Sequence, residues 1–137
     1  MEIFLTIIDF LIFGLIIGTP ILLFVVLKKI KYRAFFYFLI GLVVLCGLIW
    51  TFAWWTDKSN HILLEYYGCN FYGMGEIERY CNVLSENMER VKGIEISLMG
   101  IGWTLKAMFG IVIFSPYLLI VYIGGRLFEK IKMRKND

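Results

Sequence analysis

Histidine is nearly missing from this chain. His61 is the only one, so zinc sites built on paired histidines are excluded, and one imidazole with two distant thiols is a poor ligand set. No Cys-x-x-Cys occurs, which removes the usual signature of a thiol–disulfide oxidoreductase. No glycine-rich phosphate loop occurs either. The first residues lack the basic segment of a secretory signal. Glu2 and Asp9 are the only early charges, the apolar run exceeds the roughly 7–15 residues of a signal core, and no small-residue cleavage site follows. The run therefore reads as a retained span. Met1-Glu2 offers no myristoylation site and Arg134–Asp137 no prenylation box. With these constellations missing, the expectation is a protein that is not an enzyme, with no metal and no cofactor.

What the chain has is apolar surface. Its 137 residues are 60% apolar and 18% aromatic, with mean hydropathy +0.76, above the usual balance of a soluble domain. The excess falls into three blocks. About 20 residues at 1.5 Å rise cross the roughly 30 Å hydrocarbon core, so each block is long enough to span it. The expected fold is an all-α membrane protein: helices over 3–27, 34–55 and 96–124, a link at 28–33, a loop at 56–95 and a basic tail at 125–137.

Basic residues orient it. Lys28, Lys29, Lys31 and Arg33 fill the link, and Arg126, Lys130, Lys132, Arg134 and Lys135 follow the third block, while nothing basic precedes the first. The positive-inside rule places link and tail in the cytoplasm, and the N-terminus and loop outside, most simply in a bacterial plasma membrane. Aromatic residues agree: Trp50, Trp54, Trp55 and Trp103 gather at the outer boundary, Tyr32 and Tyr37 near the inner one. The net charge of +3 belongs to membrane-flanking residues, which favours contact with anionic lipid over nucleic acid.

The loop is sequence-rich. Gly68, Gly73 and Gly75 bracket a turn between Cys69 and Cys81. Outside the cell this pair is expected to form a structural disulfide, worth about 3 kcal/mol to a lobe too small for its own core. Two free thiols and a redox-active pair are the alternatives. From Ser85, an N-cap candidate, apolar residues recur at near-helical spacing into the third span, with Gly93 as the expected bend. The loop glutamates read as a solvated acidic face, and Cys46, mid-span, as a small packing residue.

Within the spans two ionisable residues need a reason. Asp9 lies 19 residues before Lys28, and Lys106 lies 20 before Arg126. Both then stand roughly 28–30 Å above the inner boundary. An Asp9–Lys106 ion pair would join the first and third helices; separate snorkelling to the outer headgroups is the favoured alternative. Pro20 after Thr19 and Pro116 after Ser115 fall at similar depth, where the hydroxyls partly compensate the lost backbone bonds. Gly14 and Gly18 form a GxxxG, a close-approach surface for another helix, and Gly41, Gly47 and Gly110 are further receiving positions.

Three function classes survive. The first is a non-catalytic interaction protein, either an accessory subunit of a membrane complex or an immunity-type inhibitor of a membrane toxin, with membrane lipid and an integral membrane protein as partners. The second is a self-assembling pore, since the layout is similar to that of one class of phage holins, although the long loop departs from it. The third, a thiol–disulfide oxidoreductase, would need Cys69 and Cys81 as a reactive pair.

Overall fold

The structure, a computed structural model, describes residues 1–134; Lys135, Asn136 and Asp137 of the basic tail lie outside the described residues. Helix α1 covers Glu2–Val26 and runs into a 3-10 turn at Leu27–Lys29, and α2 covers Arg33–Tyr66. A lobe follows, with the short α3 at Glu76–Tyr80, a 3-10 turn at Ser85–Asn87 and α4 at Met88–Met99. Helix α5 covers Trp103–Arg134. Three helices, α1 (with its 3-10 turn), α2 and α5, are long and apolar enough to cross a membrane, and the chain is an integral membrane protein.

The bundle is organised around α2. Its buried stripe is Arg33, Tyr37, Gly41, Leu45 and Ile49, every fourth residue. Steps of four drift about 40° round a helix of 3.6 residues per turn, so the stripe turns from one neighbour toward the other. Helix α5 answers with Ala107, Gly110, Phe114, Leu118 and Gly125, which share one face. Glycine sets the approach. A Cβ on Gly41 would sit 3.0 Å from Leu118 Cδ2, one on Gly110 would sit 2.8 Å from Ile49 Cγ2, and one on Gly125 would run into the Phe24 ring. Ile16, Leu27, Tyr37, Leu45, Ile49 and Leu118 form the buried core. Tyr37 thus belongs to the core and not to an aromatic belt; its hydroxyl donates to the Leu118 carbonyl at 3.2 Å.

The two prolines stand level. Thr19 and Ser115 each donate, at 2.6 Å, to the carbonyl four residues earlier, Leu15 and Ile111. Tyr117, beside Pro116, crosses to the Ile17 carbonyl of α1 at 3.0 Å, three residues before Pro20. Hydroxyls thereby cover backbone acceptors in the turns that the prolines weaken.

Helix α2 continues past Trp55 to Tyr66 and ends in a Schellman motif. The Gly68 N–H bonds to the Glu65 carbonyl and the Cys69 N–H to the Leu64 carbonyl, with Gly68 at φ +80°. A side chain at Gly68 would also meet the Asn82 carbonyl oxygen at 2.7 Å, so this position needs glycine twice over. Leu64, Cys69 and Val91 form a second small core under the lobe, with Tyr67, Phe71, Tyr80, Val83, Ile94 and Leu98 against it. The break before the last span falls at Gly100–Gly102, whereas Gly93 lies inside α4. Ser85 opens the 3-10 turn and does not cap a helix; α4 is capped at Asn87, which makes no side-chain cap bond.

Candidate functional site

The expected Cys69–Cys81 disulfide is absent: all three cysteines are free thiols. The two segments do run side by side, since the Asn70 N–H bonds to the Arg79 carbonyl at 2.9 Å. The thiols differ in direction. Cys69 is buried in the lobe core, 5% exposed, while Cys81 is exposed and its Sγ faces the Glu78 carbonyl at 3.5 Å. Burial pushes the Cys69 thiol above its ordinary range; nearby Glu95 adds to this and Arg79 opposes it. A thiol held protonated is a poor nucleophile. Cys46 is half-buried within α2.

The lobe is pinned by charge instead. Glu95, 3% exposed, accepts from Arg79 Nη1 at 2.6 Å and from the Tyr80 hydroxyl. It is therefore not part of a solvated acidic face. Lys92 meets Glu76 at 3.0 Å at the surface. Glu2, at the start of α1, pairs with Arg90 of α4 and accepts from the Tyr67 hydroxyl at 2.9 Å. The N-terminus, the end of α2 and the lobe are thus tied in one place.

At the other end of the bundle, Arg33 is 9% exposed. Its Nη1 reaches Glu129 Oε2 at 2.9 Å and Oε1 at 3.2 Å, and its Nη2 donates to the Phe24 carbonyl at 3.0 Å. The guanidinium also lies 3.8 Å from the centroid of the Phe24 ring. Lys28 and Arg126 approach the same carboxylate at 3.5 and 3.9 Å. One side chain thereby touches all three spans, a fork that Lys would not reproduce.

Asp9 and Lys106 are not brought together within 4 Å. Lys106, exposed one turn into α5, donates to the Ser97 carbonyl at 2.8 Å across the Gly100–Gly102 break. Asp9 Oδ1 is buried without a hydrogen-bond partner, and the Trp55 indole N–H approaches it without completing a bond. Gly14 and Gly18 are both exposed, with nothing within 4 Å of a Cβ at either position. Gly47 is equally open, whereas Gly41 and Gly110 receive neighbours within the chain. Among the described residues, no group of three His, Cys, Asp or Glu side chains could hold a metal ion.

The sequence reading missed the Arg33–Glu129 pair, although spacing carries a signal for it. Arg33 stands four residues before Tyr37 on the α2 stripe, and Glu129 four after Gly125 on the α5 face. Two contact stripes ending in opposite charges at the same end of a bundle indicate a pair. Nothing comparable marks Glu95 or Glu2, whose partners come from distant turns. Compared with family models, curated proteins and solved structures, the chain matches none of them.

Proposed function

We propose that this membrane protein acts without catalysis, by packing its first helix against a helix of a different integral membrane protein, as an accessory subunit or an immunity-type inhibitor. The carrying observation is the open face of α1. Leu11, Gly14, Gly18, Leu22 and Val25 are all exposed and, at 100° per residue, fall within an arc of about 80°. They lie opposite the buried Ile16 and Pro20. Glycines one turn apart let a second backbone come close, which is what helix association in lipid requires, because apolar side chains there gain nothing over lipid tails. The bundle's other close approaches, at Gly41, Gly110 and Gly125, are already filled.

In this reading the lobe lies outside the bacterial plasma membrane and the Arg33–Glu129 end in the cytoplasm, as the basic residues favour. The lobe's own small core keeps it ordered as a second contact surface. Cys69, buried with its thiol pKa raised, and Glu95, buried and paired, fit a structural part better than a reactive one.

The test is a photo-crosslinker at Leu11 or Leu22, with one at Phe128 as control, in the native host, followed by mild-detergent purification. A single unrelated membrane protein should cross-link at Leu11 and Leu22 only, in stoichiometric amount, and be lost in the Gly14→Leu/Gly18→Leu variant while that variant still folds. Cross-linking solely to copies of this chain would replace the reading with self-assembly, and conductance in liposomes would then decide whether the assembly is a pore.

A further inference from the structure

Between α1, α2 and α5, at the lobe end of the bundle, lies a cavity of about 200 Å³. Its floor is apolar: Phe13 and Phe114 stand edge to face with centroids 6.4 Å apart, and Ile16, Ile49 and Phe52 complete it. Its mouth is polar, formed by Thr56, Asp57 and Asn60 of α2 and by Lys106 of α5. We propose that this cavity is a phospholipid site, taking part of one acyl chain in the floor and a zwitterionic, amine-bearing headgroup of the phosphatidylethanolamine class at the mouth.

Three observations carry it. Packed interiors leave few voids larger than a water molecule, and an apolar cavity of about 150 Å³ already accepts a benzene-sized guest, so 200 Å³ is room for hydrocarbon. The surrounding solvent is itself hydrocarbon, and α1 and α5 each pack chiefly on α2, which leaves the seam between them as the way in. The mouth offers one cation and one anion that do not neutralise each other. Lys106 spends its bond on the Ser97 carbonyl, and the nearest cationic candidate to Asp57 is His61, at 3.7 Å, whose ring already donates to the Asp57 carbonyl. A phosphate suits Lys106 and a primary ammonium suits Asp57; an anionic headgroup without an amine satisfies only the first. Trp103, which also lines the cavity and packs edge-on to Trp50 at 5.3 Å, sets the mouth at headgroup level.

The proposal is independent of whether α1 has a protein partner. The experiment is native mass spectrometry of the full chain in detergent, titrated with palmitoyl-oleoyl phosphatidylethanolamine or with the matching phosphatidylglycerol. The unaltered chain should hold one phosphatidylethanolamine in preference to phosphatidylglycerol, and free phosphoethanolamine in excess should not displace it. Ala53→Phe, which fills the cavity from α2, should weaken that single adduct at least about tenfold. Asp57→Asn should abolish the preference between the two lipids, and Lys106→Gln should weaken both. Equal retention of both lipids by the unaltered chain overturns the headgroup assignment. An undiminished adduct in a folded Ala53→Phe chain overturns the cavity. Should Ala53→Phe not fold, the mouth variants decide: no change in lipid preference in Asp57→Asn and no weakening in Lys106→Gln sinks the proposal.

Discussion

The two ends of the bundle hold themselves together by the same chemistry under different constraints. At the link end a single arginine, Arg33, reaches Glu129 from the start of α2 and the Phe24 carbonyl of α1, so one guanidinium fastens three long helices. At the lobe end the work is divided: Glu95 gathers Arg79 and Tyr80 within the lobe, and Glu2 separately binds Arg90 and Tyr67 to bring α1 into it. The link end thus fixes helices that apolar packing already holds. The lobe end fixes a segment whose core has only three buried side chains, Leu64, Cys69 and Val91. Equal chemical damage should therefore be felt unequally.

The largest effect belongs to Glu95. Removing one member of a buried charged pair leaves its partner uncompensated, at about 3–5 kcal/mol, and a lobe with so small a core has little to set against that. Thiol labelling reads it directly. In the unaltered chain a soluble maleimide should modify exposed Cys81 quickly and buried Cys69 at least about a hundredfold more slowly, since its thiol opens only with the lobe. In Glu95→Ala the two rates should converge. If Cys69 stays protected in that variant, the lobe is held by its apolar core and not by its charges.

Arg33→Ala should come next, at about 2–3 kcal/mol in thermal or denaturant unfolding, because Glu129 is partly exposed and water softens the loss. Arg33→Lys should recover less than half of it, since an ammonium cannot serve both the carboxylate and the Phe24 carbonyl while lying on the Phe24 ring. A fully restored stability in the lysine variant would reduce the site to charge alone. Neither substitution should change Cys69 labelling, which keeps the two ends distinguishable.

Within the membrane, glycines at closed and open faces should respond as unequally as the two ends. Gly125→Ala forces a methyl against the Phe24 ring at the closed seam and should cost about 1–3 kcal/mol, whereas Gly14→Ala meets nothing and should stay within about 0.5 kcal/mol. Equal effects would mean that the α1–α5 seam yields easily or that the α1 face is covered in the isolated chain.

How much of this was written in the sequence depends on range. The three spans were legible because hydropathy over about 20 residues needs no partner to be read. The α4–α5 break was not, since 96–102 is as apolar as the span it precedes, and only Gly100 and Gly102 turn the chain there. Depth arithmetic put Asp9 and Lys106 level, but depth says nothing about azimuth or about a backbone acceptor such as Ser97 lying nearer. Spacing likewise brought Cys69 and Cys81 into one turn without telling that one thiol points inward and the other out. The GxxxG on α1 was readable as a surface; that Gly41, Gly110 and Gly125 are filled while it stays open needed the fold.

The smallest expected effect concerns the proline level, where the two halves of the comparison meet. Tyr117 crosses from α5 to the Ile17 carbonyl, in the turn of α1 that Pro20 deprives of a donor. Interhelical hydrogen bonds in membrane proteins average about 0.6 kcal/mol, because the unfolded chain in lipid finds other partners, so Tyr117→Phe should cost no more than about 1 kcal/mol. Its value lies in what it separates. If the hydroxyl only satisfies backbone, Thr19→Val, which removes the neighbouring bond to Leu15, should add to it with little coupling. If Tyr117 instead holds the two proline turns in register, the double variant should lose more than the sum, and hydrogen exchange should rise in both α1 and α5 around the prolines while both ends of the bundle stay protected. That outcome would make the proline level a third fastening point, weaker than either end and independent of both.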